Sequence, residues 1–409
     1  MPGNEFRSVL LSVLVMLMLH CFFLQAAFCQ EDEKEKSMEV YGFIMVDAGY
    51  NFNRIHPDWF DVIRTTQLPS YKSQYGTDGN TYFSVRQTRF GVKNYFNTPV
   101  GELKTHFEWD LFGTGVDAGQ TTIRLSHAYG ELGQWGAGQY WSPFMDIDVF
   151  PNTVEYWGPP GMAFFRNVQV RYMPIQGNSR LTFALERPGA SADQGSVADR
   201  IELSDVKPRF RYPDLSAEYR YAFKFGYIEI AGILRSMEWE DQGQQQYDLS
   251  GDALGWGVNL STNVKISTKT LFRGSFIYGE GVENYMNDAT IDVGIKSTGD
   301  PNRPIEGVAL PVTGVVAFLD HNWSDKLSSS LGYSSVDIKN AEASADDQFR
   351  HGDYAIFNLM SYPVSRVMTG IEFQWGRRTN FRDDFAADIF KIQVTFKYNF
   401  SHSIYRKQD

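Results

Sequence analysis

The sequence predicts an all-β fold: a transmembrane antiparallel β-barrel of about sixteen strands, with short turns at one end and long loops at the other. Three observations predict it. Apolar and polar residues alternate along many segments, each close to the length of about nine to eleven residues that a tilted strand needs to cross a bilayer. The apolar face is rich in aromatic residues towards the strand ends. Long connections alternate with short ones, whereas alternation of residues alone would also fit a soluble β-sandwich.

Composition and charge agree with this fold class. Aromatic residues make up 15% of the chain, yet its mean hydropathy is only −0.34. That combination is typical of finely interleaved apolar and polar residues. The formal net charge is −11, whereas nucleic-acid-binding proteins carry basic surfaces. We therefore expect no nucleic-acid partner.

The N-terminus carries a targeting segment. The apolar run at residues 8–29 predicts a secretory signal peptide over 1–29, followed by a short charged segment at 30–37. An uncleaved membrane anchor is the alternative. The two cysteines of the chain, Cys21 and Cys29, both lie in this segment. The mature chain would therefore have no disulfide and no cysteine metal site, and we expect no metal and no cofactor.

The alternating pattern continues to the end of the chain, so residues 38–400 are predicted to form the barrel. In "KIQVTFKYNF" (391–400) apolar and polar side chains lie on opposite faces of an extended chain. In chain order, the same pattern is present in "GELKTHFEWDLF" (101–112), "NVQVRY" (167–172), "SRLTFALER" (179–187), "SAEYRYAFKF" (216–225) and "RVMTGIEFQWG" (366–376). Phe400 fits the terminal aromatic residue that barrel-assembly machinery reads in a last strand. Residues 401–409 would then form a periplasmic tail.

The connections set the strand count. Eight long ones are predicted, at 51–80, 111–121, 142–165, 188–215, 237–253, 280–311, 338–353 and 377–388, with seven short ones between them. Fifteen links join sixteen strands. Both termini then lie at the short-turn end, and the last strand can pair with the first.

The two faces of the strands have different surroundings. The aromatic face must meet lipid, because charges cannot be solvated there, so the charged face is expected to line the lumen. A barrel of about sixteen strands is too wide for its side chains to fill, which predicts an aqueous channel. The third long connection, 142–165, is rich in apolar residues and is predicted to fold inward as a constriction. An ordinary exposed loop is the alternative.

Arginines recur on the predicted lumenal face, at Arg124, Arg171, Arg180 and Arg220, with Arg235 as a further candidate. The apolar parity reverses between Phe83 and Phe90, and a β-bulge near 87–88 would explain the reversal. Arg86 and Arg89 would then both face the lumen. Guanidinium groups bind carboxylates bidentately, so this set indicates a site for carboxylate solutes. The alternative is a neutral lining in which the arginines pair with Glu102, Glu108, Asp110 and Glu186.

Two stretches, "RQTRFGVKN" (86–94) and "GQYWSPFMDIDVFPNTVEYWGPPGMAFFRNVQVRY" (138–172), resemble the DcaP-like outer-membrane porin family. The resemblance covers most of residues 38–400, and the longer stretch is the more specific. It implies a sixteen-stranded homotrimeric barrel of the bacterial outer membrane, in contact with membrane lipid and lipopolysaccharide. It also implies diffusion of small anionic solutes, dicarboxylates especially, through an arginine-bearing constriction.

The resemblance extends to single residues. Arg86 and Arg89 match the family's arginines of the second strand, and Arg166 and Arg171 match those that follow the constriction loop. Arg124, in "IRLSHAYGE", is added to them. Some relatives carry a helical coiled-coil segment before the barrel, whereas only "QEDEKEKS" separates signal and first strand here. A trimer would then depend on barrel contacts alone.

Two other classes of function were weighed. His106, Glu108 and Asp110 share one strand face, and carboxylates beside a histidine can perform acid–base chemistry. However, a charged lumen produces such triplets without catalysis, and neither GxSxG nor HExxH is present. We therefore predict that the protein is not an enzyme. The second alternative is a barrel that acts as an adhesin or structural anchor through its long loops.

Overall fold

The computed structural model describes residues 36–190, 197–243 and 247–405. Within these ranges the chain forms β-strands and six single-turn 3-10 helices, at Pro57–Trp59, Thr65–Gln67, Gly115–Asp117, Ile147–Val149, Ala198–Arg200 and Glu283–Tyr285. No helix among the described residues is long and apolar enough to cross a membrane. The predicted signal peptide and residues 406–409 of the predicted tail lie outside the described ranges.

Twenty strands follow in chain order: β1 (Lys36–Asn51), β2 (Asn80–Ser84), β3 (Arg89–Thr98), β4 (Gly101–Phe112), β5 (Thr121–Leu132), β6 (Trp135–Trp141), β7 (Arg166–Ile175), β8 (Arg180–Glu186), β9 (Val206–Arg209), β10 (Asp214–Phe223), β11 (Gly226–Asp241), β12 (Gly251–Lys265), β13 (Thr270–Glu280), β14 (Val293–Asp300), β15 (Arg303–Ala309), β16 (Pro311–Ser324), β17 (Leu327–Ile338), β18 (Phe349–Ser361), β19 (Val367–Asn380) and β20 (Ala386–Tyr405).

The strands form a closed barrel. Eighteen of them belong to one antiparallel sheet, which closes where β1 pairs with β20. β2 and β3 both pair with β1 and form one wall strand, while β9 only extends the loop end of β11. β14 and β15 form a separate hairpin within a long loop. Sixteen wall strands remain, joined alternately by long loops and short turns, which confirms the predicted fold class.

The last strand is longer than predicted. β20 continues past Phe400 to Tyr405, because β1 begins at Lys36 and offers backbone partners over the added length. Ile404, for example, pairs with Met38. Residues 401–405 are therefore part of the barrel wall, which corrects the predicted boundary of the tail.

Side chains alternate between the two faces of the wall. On β7, Val168 and Val170 face outward and are 47% and 49% exposed, whereas Gln169 and Arg171 face inward and are 3% and 8% exposed. An apolar belt on the outside is what lipid requires, and polar groups on the inside keep their hydrogen bonds. β10 and the body of β20 show the same separation of faces.

The alternation changes phase at two places. β2 stops at Ser84 and β3 starts at Arg89, with a turn between them in which the Thr88 N–H donates to the Val85 carbonyl at 3.0 Å. This break accounts for the parity reversal seen in the sequence. A second shift, not predicted, lies in β5, where Ser126 is an extra residue opposite β4 and also faces inward, donating to Asp110 at 3.0 Å.

The lumen is partly filled by loops. Residues of the long loops 52–79, 142–165 and 281–310 pack against the inner wall in one apolar cluster that includes Ile63, Met162 and Tyr285. The inward faces of β16, β17 and β18 contribute apolar side chains to this cluster, among them Val316, Val336 and Ile356. The expectation that the lumenal face is charged throughout is therefore wrong on this side. The open space lies on the opposite side, beside β4 to β8.

Candidate functional site

The loop 142–165 lies inside the barrel and is anchored to several walls. Near its start, Asn259 of β12 donates to the Phe144 carbonyl at 2.9 Å. Asp146 accepts hydrogen bonds from Tyr227 of β11 at 2.7 Å and from Ser261 of β12 at 2.6 Å. Arg220 of β10 adds an ion pair to Asp146 at 2.6 Å. These contacts hold the first third of the loop against the wall.

The middle of the loop reaches the far side of the barrel. Thr153 donates to the Glu372 carboxylate of β19 at 2.7 Å, and the Val154 N–H donates to the same carboxylate at 3.0 Å. The Val154 carbonyl accepts from Gln87 at 2.8 Å and from Gln393 of β20 at 3.1 Å. The loop therefore crosses the lumen from β6 to the seam where the barrel closes.

The loop then turns back through two close contacts. Glu155 is fully enclosed and accepts hydrogen bonds from the N–H groups of Ile63, at 3.0 Å, and of Gly158. Burial raises the pKa of the Glu155 carboxyl to about 7. At Gly161 a Cβ atom would lie 2.0 Å from the Ser335 carbonyl oxygen, so only glycine allows the chain this close to β17.

Three arginines surround one carboxylate where the loop passes β4. Asp110 lies 2.8 Å from Arg124, 3.9 Å from Arg89 and 3.9 Å from Arg166. Arg89 also pairs with Glu108 at 3.3 Å. Tyr156 of the loop donates to Asp110 at 2.8 Å and so ties the loop to this cluster. The structure thus brings Arg89, Arg124 and Arg166 together, as the sequence analysis proposed for a lumenal site.

Arg86 has a different position. Its side chain is 1% exposed, pairs with Asp61 of the first long loop at 2.6 Å and packs 3.9 Å from the ring of Phe112. It donates to the Gly113 carbonyl at 3.0 Å as well. Arg86 is therefore enclosed and does not line open space, which corrects the prediction for this residue. The inward direction of its side chain was predicted from the strand parity, but its pairing with Asp61 could not be predicted from the sequence.

Of the remaining predicted arginines, Arg180 and Arg220 lie nearer the short turns, whereas Arg235 lies beside the long loops. Arg180 pairs with Glu218 and Glu229, each at 3.0 Å. Arg220 forms ion pairs with Asp146, Asp148 and Glu229. Arg235 forms ion pairs with Asp214 and Asp292. Both arginines therefore anchor loops to the wall. Arg171 packs over the rings of Tyr129 and Tyr140 and donates to Gln169 at 3.0 Å.

The alternative of a neutral lining is partly met. Glu108 and Asp110 pair with arginines as described. Glu186 instead accepts from Ser142, at 2.7 Å, and from Ser216, while Glu102 lies 3.8 Å from Lys104. Of the four acidic residues in the neutral-lining alternative, only Glu108 and Asp110 therefore pair with arginines.

A cavity of about 540 Å³ opens on the long-loop side of the arginine cluster. We call it the loop-side cavity. Among the residues that the structure describes, its lining contains no aspartate or glutamate and five arginines: Arg64, Arg124, Arg166, Arg187 and Arg200. Arg64, Arg187 and Arg200 were missed by the sequence analysis, because loops have no strand parity that could orient their side chains. Phe164, Trp157 and Met286 supply an apolar part of the lining.

A second cavity, of about 370 Å³, lies on the short-turn side of Trp141. We call it the turn-side cavity. Its charged lining is mixed: Lys104, Arg171 and Arg180 are accompanied by Glu131 and Glu218. Trp141 and Tyr140 lie between the two cavities, and the Arg166 guanidinium stacks 5.0 Å above the Trp141 ring. The boundary between the two cavities therefore lies at Trp141 and Arg166, and we call this boundary the passage.

His106, Glu108 and Asp110, the residues of the catalytic alternative, all have structural partners in the barrel. Glu108 and Asp110 pair with arginines, and His106 is hydrogen-bonded to Tyr41 at 2.5 Å. The adhesin alternative depends on exposed long loops, and much of 52–79, 142–165 and 281–310 packs inside the barrel.

A wide closed barrel with a loop across its lumen and charged cavities on both sides of that loop has the architecture of an outer-membrane porin. The family model described as DcaP outer membrane protein matches residues 30–400. The chain belongs to this family, and it is accordingly a channel of the bacterial outer membrane. The long loops then face outward from the cell and the short turns face the periplasm.

Solved structures show the same fold. The outer membrane channel DcaP of Acinetobacter baumannii is 21% identical, with a TM-score of 0.71 over 92% of this chain and 100% of that one. OmpT of Vibrio cholerae is 11% identical, with a TM-score of 0.53 over 91% and 100%. OmpF of Salmonella typhi in complex with daunomycin is 9% identical, with a TM-score of 0.53 over 89% and 98%. A search of curated proteins found no match.

Proposed function

We propose that this channel passes small anionic solutes by diffusion, dicarboxylates especially, and that the loop-side cavity selects them. The observation that carries the proposal is the lining of that cavity, in which the described part of the chain places five arginines and no carboxylate. A charged cleft with low-dielectric walls concentrates ions of the opposite sign. Anions would therefore be enriched at the outer mouth and cations depleted.

The arginines suit carboxylates in particular. A guanidinium presents a planar fork of donors that matches a carboxylate, and a second arginine serves the second carboxylate of a diacid. The Nη1 atom of Arg166 makes no hydrogen bond within the described part of the chain, although its side chain is only 12% exposed. A solute carboxylate supplies the acceptor that this buried donor lacks.

Diffusion also requires that a bound solute can leave. Asp110 already pairs with Arg124 and lies 3.9 Å from Arg89 and Arg166, so it competes with any solute for the same guanidinium groups. Binding that is shared in this way stays weak enough for onward transfer. The loop 142–165 serves as the constriction, because it leaves the passage at Trp141 and Arg166 as the route between the two cavities.

The assembly is proposed as well. A structure of OmpT from Vibrio cholerae is described as a trimer form, and the family resemblance implies a homotrimer surrounded by membrane lipid and lipopolysaccharide. Analytical ultracentrifugation in detergent of matched density should give three chains per particle. A single chain per particle would contradict this part of the proposal.

The central test is the reversal potential of the refolded protein in a planar bilayer under a KCl gradient, with and without succinate. We expect anion selectivity and block of the chloride current by succinate. Arg187→Gln should reduce both, because Arg187 is exposed and lines the cavity. Arg209→Gln is the matched control: Arg209 is also exposed near the same loop but pairs with Glu240 at 2.6 Å and does not line the cavity. Cation selectivity in the unmodified protein would refute the proposal.

A further inference from the structure

The barrel wall is incomplete beside the loop-side cavity. β6 has seven residues, fewer than the about nine to eleven that a tilted strand needs to cross the bilayer. Its ladder with β5 ends at the pair of Ala128 with Gln139, so within the described chain the stretch 121–127 of β5 has no ladder partner on that side. The Gln139 amide covers part of this edge, donating to the carbonyls of Leu125 at 3.1 Å and Ser126 at 3.2 Å.

The loop-side cavity extends into this gap. Its lining includes Arg124 and Arg166, which face the lumen, but also Leu125 and Val168, which face outward and are 41% and 47% exposed. Successive residues of a strand point to opposite faces of the sheet. A cavity that touches Arg124 and Leu125 together therefore reaches the gap between β5 and β6, where outward-facing residues border it.

The two ends of this cavity have opposite chemistry. The inner end carries guanidinium groups, including the Arg166 donor without a hydrogen bond. The outer end is apolar, with Leu125 and Val168 in the lining and Ile123 beside them, 77% exposed towards the lipid. A ligand complementary to both ends has one carboxylate and one hydrocarbon chain.

We propose that the cavity binds alkyl monocarboxylates of medium chain length, with the carboxylate on the arginines and the chain in the gap between β5 and β6. The proposal rests on the proposed function, since it uses the same arginines. It adds a ligand class that a purely aqueous lumen would not favour. A diacid of equal length cannot use the gap, because its second carboxylate would have to enter an apolar, lipid-facing site.

The first experiment compares ligands on the unmodified channel. Block of single-channel current is measured with butyrate, hexanoate, octanoate and suberate, below the concentrations that perturb a protein-free bilayer. Each added methylene should strengthen block by up to about fourfold if it is fully buried. Octanoate should also block more strongly than suberate. Equal block by butyrate and octanoate, or by octanoate and suberate, would overturn the proposal.

The second experiment compares two substitutions on β7. Val168→Ser changes a residue in the gap, and Val170→Ser changes one on the same strand, on the same face and of similar exposure that does not line the cavity. Val168→Ser should lower the ratio of octanoate block to succinate block about threefold by placing a hydroxyl against the chain. Val170→Ser should leave the ratio unchanged. An equal ratio in both variants would overturn the proposal.

The two proposals fail differently. Loss of chain-length dependence with succinate block intact would remove only the alkyl carboxylate site. Absence of succinate block and of anion selectivity would remove the proposed function and this inference together. Heat-dependent gel mobility identifies a variant that does not fold, and the ligand series on the unmodified channel decides the question in that case.

Discussion

The two cavities use the same kinds of residue to different effect. Of the described residues, five arginines and no carboxylate line the loop-side cavity, whereas the turn-side cavity combines Lys104, Arg171 and Arg180 with Glu131 and Glu218. The loop-side cavity has two more basic side chains in its lining than the turn-side cavity and two fewer acidic ones. The net charge that a solute meets is therefore set by the partners of the arginines, and a count of arginines alone does not give it.

The difference arises from the origin of the charges. Both cavities draw on inward-facing strand positions, where acids and bases alternate on neighbouring strands and can pair across them. The loop-side cavity takes three of its arginines, Arg64, Arg187 and Arg200, from loops, although Arg64 is itself paired with Asp288 at 3.1 Å. The basic residues of the turn-side cavity lie on strands. Selectivity is expected mainly from the loop side. Three measurements test this expectation, and a fourth tests the stability of the loop between the cavities.

The largest effect is expected from Arg124→Gln combined with Arg166→Gln. The double variant leaves Asp110 with Arg89 alone, so the passage gains negative character. The ratio of anion to cation permeability, measured from reversal potentials, should fall about tenfold. Arg209→Gln should leave it unchanged. A ratio that stays the same in the double variant would mean that the selective charges lie elsewhere.

A second measurement uses the asymmetry itself. With positive charge concentrated at the outer mouth, the current–voltage relation should rectify at about 0.01 M salt, where the Debye length is about 30 Å. At about 1 M salt the Debye length falls to about 3 Å and the relation should become linear. Symmetric curves at low salt would show that the two cavities carry equal net charge.

Arg180→Gln should have a smaller effect, about twofold in permeability ratio, because this arginine is already shared between Glu218 and Glu229. The reversal potential under the same salt gradient is the measurement. A change as large as that of the double variant would contradict the expectation that selectivity comes mainly from the loop side.

The smallest effect concerns the loop that separates the cavities. The pKa of Glu155 is raised to about 7 from an ordinary value of about 4.3. The folded state therefore holds this proton where the unfolded state has lost it. The contribution of Glu155 to the free energy of unfolding should be highest at low pH. It should decrease by up to about 3 kcal/mol as the pH rises from about 4.3 to about 7.

The measurement for Glu155 is thermal unfolding between pH 5 and pH 8, followed by heat-dependent gel mobility. Glu155→Gln imitates the protonated acid and should flatten the pH dependence of the transition. Glu372 and Lys391 act on the same carboxyl from the wall and remain in place in the variant. An unchanged slope in the variant would assign the pH dependence to other groups.

Strand parity explains how much of the molecule could be predicted. It gave the lipid-facing sides of the strands and the inward direction of Arg89, Arg124, Arg171 and Arg180, while the alternation of long and short connections gave the number of strands. It failed at Ser126, because an inserted residue leaves no mark in a sequence where serine fits either face. It also could not show that Val316 and Val336 meet loop residues in the lumen, since periodicity does not indicate which loop packs against an inward face.

The loops could be placed only in general terms. The apolar composition of 142–165 indicated an inward position, but its anchors at Glu372 and Gln393 depend on strands more than two hundred residues away in the chain. Arg86 is the clearest case of the limit. Its direction followed from the parity, and its enclosure followed from Asp61, whose position no periodicity encodes.

The off-centre route through the barrel has a consequence for how this protein can be altered. Because loops occupy the side next to β16, β17 and β18, most of the residues that line both cavities come from a single stretch between Lys104 and Arg200; the exceptions are Arg64, Glu218 and four residues from 284–289. The residues that we propose to set solute preference are thus encoded mainly by one contiguous quarter of the coding sequence. A single exchanged segment between relatives should transfer it, while the rest of the barrel is inherited as a scaffold.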